Sequence, residues 1–126
     1  MKPRVLVVDD DPLYAEAATA LLTADGRIDV VGRAVNGRDA VELALALRPD
    51  VVLMDINMPV LDGIEASRVL HLTLPSVRVV LVSGEAFDSD WPRIREAGAF
   101  ASIAKALPGE ALVEAALAAA AEAVAP

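Results

Sequence analysis

Apolar residues fall along this chain in two alternating rhythms. Short runs of β-branched residues and Leu are each followed by a longer stretch in which apolar positions recur at three- and four-residue spacing. The first rhythm reads as buried strand and the second as helix. Arg4 to Val8 is such a run, halted by Asp9-Asp10-Asp11-Pro12; it predicts a strand and then a helix, because the fixed φ of Pro12 suits a first helical turn. Leu13, Ala17, Ala20 and Leu21 carry the helical spacing to about Ala24, and Asp25-Gly26 stops it. Ile28 to Ala34 predicts a second strand, Asn36-Gly37 a turn or cap, and Ala40, Leu43, Ala44 and Leu47 a second helix ending before Pro49. Val51-Val52-Leu53-Met54 is too short for a helix and predicts a strand buried on both faces, with Asp55 at its carboxyl end.

After Asp62-Gly63 a third helix carries Ile64, Val69 and Leu72 to about Leu74, and Val77 to Val82 predicts strand four, ending at Ser83-Gly84. Asp88-Ser89-Asp90 offers caps for a short fourth helix to Ala97, with Pro92 in its first turn and Gly98 closing it. Phe100 to Ile103 predicts a short fifth strand with Lys105 behind it, and Pro108 starts an alanine-rich helix to about Val124. Five strands alternating with five helices imply a parallel sheet covered by helices on both faces, since right-handed crossovers leave few other arrangements. A dinucleotide-binding sheet would need a glycine-rich loop after strand one, where this chain has Asp9-Asp10-Asp11. The expected fold is therefore α/β, a flavodoxin-like (βα)5 doubly wound sheet with strand order 2-1-3-4-5 and a single domain over residues 1–126.

Composition narrows the classes of function. Hydrophobic residues make up 56% of the 126 residues and aromatic ones 3%, so the core is aliphatic. No apolar run approaches the ~18–20 residues that span a membrane, and the few apolar residues after Arg4 are too short for a signal peptide. The absence of cysteine excludes disulfides and thiolate metal sites and fits a reducing, cytoplasmic compartment. A net charge of −8 argues against this domain tracking a phosphate backbone itself, so any DNA contact is expected through another domain.

In a parallel sheet the residues just past each strand share one rim, so Asp9, Asp10, Asp55, Ser83 and Lys105 are expected to converge there. Carboxylates within about 4 Å of each other repel by roughly 4 kcal/mol per pair at an effective dielectric near 20, which calls for protonation or a cation. An all-oxygen ligand set points to magnesium, and the lone His71 falls inside the third helix as a surface or core-edge residue. A carboxylate nucleophile, a divalent cation, a hydroxyl and an ammonium around one point are the parts needed to handle a phosphoryl group, with Asp55 as the nucleophile. Each part also has a purely structural reading: Asp55 could open a turn, Asp9 and Asp11 could cap the first helix, Ser83 could close a turn, and Lys105 could be a solvated loop cation.

The segments Val-Leu-Val-Val-Asp-Asp-Asp-Pro, Asp-Val-Val-Leu-Met-Asp-Ile-Asn-Met-Pro with Leu-Asp-Gly behind it, Val-Leu-Val-Ser, and Gly-Ala ahead of Lys105 together make the whole chain resemble the receiver domain of bacterial two-component response regulators. The resemblance implies that Asp55 accepts a phosphoryl group from a phosphohistidine on a sensor kinase. It also implies that Asp10, Asp55 and the main-chain carbonyl of Asn57 ligate magnesium, with Asp9 acting through water, and that Ser83 and Lys105 bind phosphoryl oxygens. Asn57 and Glu85 are expected to flank the path of an attacking water and to tune the lifetime of the phosphate. Where the family often has an aromatic three residues before the lysine this chain has Ser102, so a tyrosine-type rotamer switch is not expected there; Ala106 replaces the frequent proline after the lysine.

Ile28 to Gly32, Asn36-Gly37 and Arg48-Pro49-Asp50 are similar to receivers that precede a helix-turn-helix DNA-binding domain. The expected function is a phosphorylation-activated switch that controls an output such as transcription through the face formed by helix four, strand five and helix five, with Trp91 at its edge. A sensor histidine kinase and a phosphorylation-dependent homodimer are the expected partners; DNA would be reached only through an output domain outside these residues. No catalytic turnover is expected beyond the chain's own phosphorylation and dephosphorylation. Two rivals remain. A pseudo-receiver would keep the fold without the chemistry. A haloacid-dehalogenase-type phosphohydrolase would carry its nucleophile in an Asp-x-Asp motif after strand one, where this chain has Asp9-Asp10-Asp11.

Overall fold

The computed structural model describes residues 1–84, 91–106 and 108–124. Among them the chain alternates strand and helix throughout: β1 (Arg4–Val8), α1 (Pro12–Asp25), β2 (Asp29–Ala34), α2 (Gly37–Leu47), β3 (Val51–Asp55), α3 (Gly63–Thr73), β4 (Arg78–Ser83), α4 (Trp91–Glu96), β5 (Ala101–Ala104) and α5 (Gly109–Val124). All neighbouring strands are parallel and lie in the order β2-β1-β3-β4-β5, as the sequence implied.

Alternation along the strands divides the interior in two. Leu6, Val8, Val52, Met54, Val79 and Leu81 face α2, α3 and α4, whereas Val5, Val7, Val51, Leu53, Val80 and Val82 face α1 and α5. Because successive side chains of a strand point to opposite faces, a strand buried on both sides is apolar along its length, as β3 is from Val51 to Met54, before the buried Asp55 at its carboxyl end. The alanines of α5 serve this packing: Ala116, Ala119 and Ala120 join Leu112 and Val113 in the second cluster.

Local chemistry sets the helix ends. The Asp11 carboxylate accepts from the Leu13 amide at 3.0 Å, Asn36 from Asp39 at 2.8 Å, and Asp62 from Glu65 at 2.8 Å, each filling part of the unpaired first turn of its helix. Gly26 ends α1 at φ 86°, a conformation that costs glycine nothing. Pro92 falls in the first turn of α4; the expected caps at Asp88-Ser89-Asp90 lie outside the described residues.

Three expectations need correction. The buried stripe of α1 is Ala15, Ala18 and Leu22; Leu13 is 77% exposed and Leu21 47% exposed, and Ala17 and Ala20 also face outward. Helix α1 is apolar on almost every side, so spacing alone could not choose its face, and the sheet took the alanines that permit close approach. Similarly, Leu72 is exposed while Ile64, Ala66, Ser67 and Leu70 face inward. Phe100 precedes β5 rather than opening it: its amide already bonds the Val79 carbonyl at 2.8 Å, but its side chain is left partly exposed. His71 is exposed, with its ring lying over Gly98 at the α3–α4 contact, in agreement with its reading as a surface residue.

Candidate functional site

Four of the five strands each deliver a residue to the carboxyl rim. Asp9 follows β1, and its amide bonds the Ala34 carbonyl at 3.1 Å, so β2 holds it in line even beyond the strand. Asp55 is the last residue of β3 and Ser83 the last of β4. Lys105 follows β5, its amide donating to the Ser83 carbonyl at 2.7 Å, so two expected site residues are joined through backbone. The loop after β3 returns tightly: the Gly63 amide donates to the Ile56 carbonyl at 2.8 Å, and a Cβ at Gly63 would collide with the Asp55 carbonyl oxygen.

Asp9, Asp55 and Ser83 are buried, whereas Asp10 is exposed. Lys105 extends back over the rim and places Nζ 2.8 Å from Asp9 Oδ2 and 3.7 Å from Asp55 Oδ2. Its ammonium also sits 4.2 Å from the centroid of the Tyr14 ring. The second Asp9 oxygen, Oδ1, accepts the Asp11 amide at 2.8 Å, and the backbone amide of Asn57 bonds the Asp55 carboxylate. Asp9, Asp10, Asp55, Ser83, Asn57 and Lys105 are thus brought to one rim, while Glu85 lies outside the described residues.

Burial pushes the Asp55 carboxyl above the usual carboxylate range; the Asp9 and Asp10 charges push the same way, and Lys105 and the Asn57 amide oppose them only partly. Burial pulls hardest on Lys105, downward, but Asp9, Asp55 and Tyr14 together outweigh it and raise its pKa. Tyr14 is raised by burial, aided by Asp9 and Asp55 and opposed by Lys105.

Asp9, Asp10 and Asp55 each offer one carboxylate oxygen, and these three oxygens lie within 4.8 Å of one another. One ammonium among three carboxylates leaves two negative charges uncompensated. Asp9 Oδ2 is buried and, although Lys105 stands beside it, receives no aligned hydrogen bond. A hard divalent cation held by oxygens suits both the charge and the donor set.

The residue that sequence reasoning missed is Tyr14. The signal was present: Tyr14 is the only tyrosine and stands one helical turn beyond Asp10, where a helix starting at Pro12 still faces the rim.

The fold and the site together define a class of protein: a doubly wound α/β domain with a lysine-spanned acidic cluster at the carboxyl edge of its sheet. The chain belongs to the response regulator receiver domain family, whose model matches residues 5–117. Its structure is similar to the signal receiver domain of the response regulator NarL from Mycobacterium tuberculosis, with a TM-score of 0.91 and 35% identity over 95% of this chain and 97% of that one. The response regulator domain of Thermotoga maritima CheB superimposes with a TM-score of 0.89 at 33% identity, covering 100% of both chains. Among curated relatives, the transcriptional regulatory protein DegU of Brevibacillus brevis is 35% identical over 114 residues, 90% of this chain and 48% of the relative. A protein-glutamate methylesterase/protein-glutamine glutaminase of Pseudomonas aeruginosa is 50% identical over 76 residues, 60% of this chain and 21% of the relative. The chain therefore spans about half the length of the first and about a fifth of the second. It is a receiver domain of the two-component response regulators, a signalling module, and relatives carry it both in a transcriptional regulator and in an enzyme.

Proposed function

We propose that Asp55 is the phosphoacceptor of this receiver, and that residues 1–126 act as one phosphorylation-controlled switch. The observation that carries the reading is the placement of the Asp55 carboxylate at the end of β3, with Lys105 Nζ 3.7 Å away and Asp9 and Asp10 beside it. In the transfer, an Asp55 carboxylate oxygen attacks the phosphorus of the donor. The new P–O bond makes an acyl phosphate as the bond to the donor, a phosphohistidine nitrogen of a sensor kinase, breaks and returns its electron pair to the leaving group. Lys105 neutralises charge on the phosphoryl oxygens and the Ser83 hydroxyl donates to them. Asp9, Asp10, Asp55 and the Asn57 carbonyl would hold magnesium, which supplies charge neutralisation between the carboxylates and the incoming phosphoryl group. Asn57 and Glu85 tune how quickly water removes the phosphate.

The domain turns over no substrate apart from its own phosphate. Phosphorylation adds charge and acceptor oxygens at the rim, and the response of Ser83 and Lys105 biases an existing equilibrium involving α4 and β5. That face, with α5 and the half-exposed Trp91, is where a phosphorylation-dependent homodimer would form. DNA is reached only through an output domain outside these residues, and the relation to DegU favours that kind of output. Among the described residues no helix is long and apolar enough to cross a membrane, and the cytoplasm is the compartment that fits a partner kinase and a cysteine-free chain.

The test is intact mass after incubation with acetyl phosphate and magnesium, beside an Asp55→Asn control. One added phosphoryl group in the parent and none in the control supports the assignment. No gain in either, with magnesium binding demonstrated, points instead to a pseudo-receiver, and continuous turnover of a phosphate ester to a phosphohydrolase.

A further inference from the structure

Among the described residues, an aromatic ring reaches the rim beside Lys105. It comes from α1 rather than from β5, where Ser102 stands at the position before Lys105 that an aromatic could have used. The Tyr14 ring centroid lies 4.2 Å from Lys105 Nζ, and the same ammonium is 2.8 Å from Asp9 and 3.7 Å from Asp55. Lysine is a long side chain with a mobile, strongly hydrated head, and holding it in one place costs rotamer entropy. A ring face attracts a cation, and more strongly where water is excluded. Tyr14 is half-buried in a cleft it shares with Ala17, Leu21, Ile103, Pro108 and Leu112, so its own position is fixed by α1, β5 and α5.

We propose that Tyr14 is a positioning residue for Lys105: its ring holds the ammonium within reach of Asp55, so that the charge meeting the phosphoryl group is already in place. The inference rests on the phosphoacceptor reading given above and adds a residue to it. Asp9 alone, at 2.8 Å, draws the ammonium toward the metal-binding side of the rim; the ring supplies a third point of contact that keeps it between Asp9 and Asp55. The interaction belongs to the ring and not to the phenolic hydroxyl, which makes phenylalanine the conservative replacement and leucine the disruptive one.

The experiment uses the full chain and the variants Tyr14→Phe, Tyr14→Leu, Lys105→Ala and Tyr14→Leu/Lys105→Ala. The rate of phosphoryl gain from acetyl phosphate with magnesium is followed by intact mass. The expected result is a rate for Tyr14→Phe close to the parent, a rate for Tyr14→Leu lower by about fivefold, and no further loss from Tyr14→Leu when Lys105 is already alanine. Equal slowing by Phe and Leu, an unchanged rate in Tyr14→Leu, or the same loss with and without Lys105 would each overturn the proposal. A second readout needs no phosphoryl group. The Lys105 methylene protons beside Nζ should carry a ring-current shift by NMR in the parent and in Tyr14→Phe, and lose it in Tyr14→Leu. Absence of labelling in the parent counts against the phosphoacceptor reading, and the ring-current shift then decides by itself whether Tyr14 holds the lysine; no shift in the parent would overturn that claim.

Discussion

At Asp55 the fold holds a charge it would be more stable without. Burial and the neighbouring Asp9 raise its pKa, so the folded chain binds that proton more tightly than the unfolded one. The stabilising contribution is complete below the unfolded carboxylate pKa of about 3.9 and is lost as pH rises through the raised folded value. In chelator the parent should therefore lose stability across that window toward neutrality, and Asp55→Asn should not. Chemical denaturation midpoints of the two proteins at a series of pH values check this, the gap widening as pH rises. Magnesium should then raise the parent midpoint by mass action and shift the variant much less. Strain of another kind, in the backbone, sits at Val60: it has φ 71°, and the Leu61 amide reaches back to the Pro59 carbonyl at 2.8 Å, a γ-turn in a region unfavourable to β-branched residues. Its side chain is 74% exposed, so little burial is lost on replacement. Val60→Asn should stabilise the chain by about 1 kcal/mol, seen as a thermal midpoint higher by about 3–6 °C.

Among the elements, α1 shows where periodicity stops being informative. Leu13, Tyr14, Ala15, Ala17, Ala18, Ala20, Leu21 and Leu22 surround its axis with apolar groups, and only the sheet decided that Ala15, Ala18 and Leu22 go inside. Leu22→Ala should cost about 2–5 kcal/mol and Leu13→Ala less than about 0.5 kcal/mol in denaturant unfolding, the reverse of what spacing alone suggested. Helix α2, by contrast, has polar residues on its outer side, and Ala40 and Ala44 are buried with Leu43 and Leu47 partly buried, as its spacing implied. The strands were legible because runs such as Val51 to Met54 are buried on both faces and bounded by Pro49-Asp50 and by Asp55. The start of β5 was less so, since Phe100 looks like a strand residue and its amide bonds the Val79 carbonyl, yet it stands just ahead of the strand, two residues after Gly98.

Across the whole molecule, the site was legible because topology does the assembling. Once the sheet is parallel, the residue after each strand must reach the same rim, and Asp9, Asp55, Ser83 and Lys105 do so from four different strands. Tyr14 escaped because it comes from a helix, and its relation to Lys105 depends on how α1 rotates against β5, which no strand-end rule specifies. The same geometry gathers several acidic groups near Asp55, so transfer to the right carboxylate is the claim on which everything else depends. The measurement that tests it most directly is borohydride trapping after incubation with acetyl phosphate and magnesium, followed by peptide mapping, since reduction converts an aspartyl phosphate to homoserine at its own position. Homoserine is expected at Asp55 alone; homoserine at Asp9, Asp10 or Asp11 with Asp55 unmodified would refute Asp55 as the phosphoacceptor.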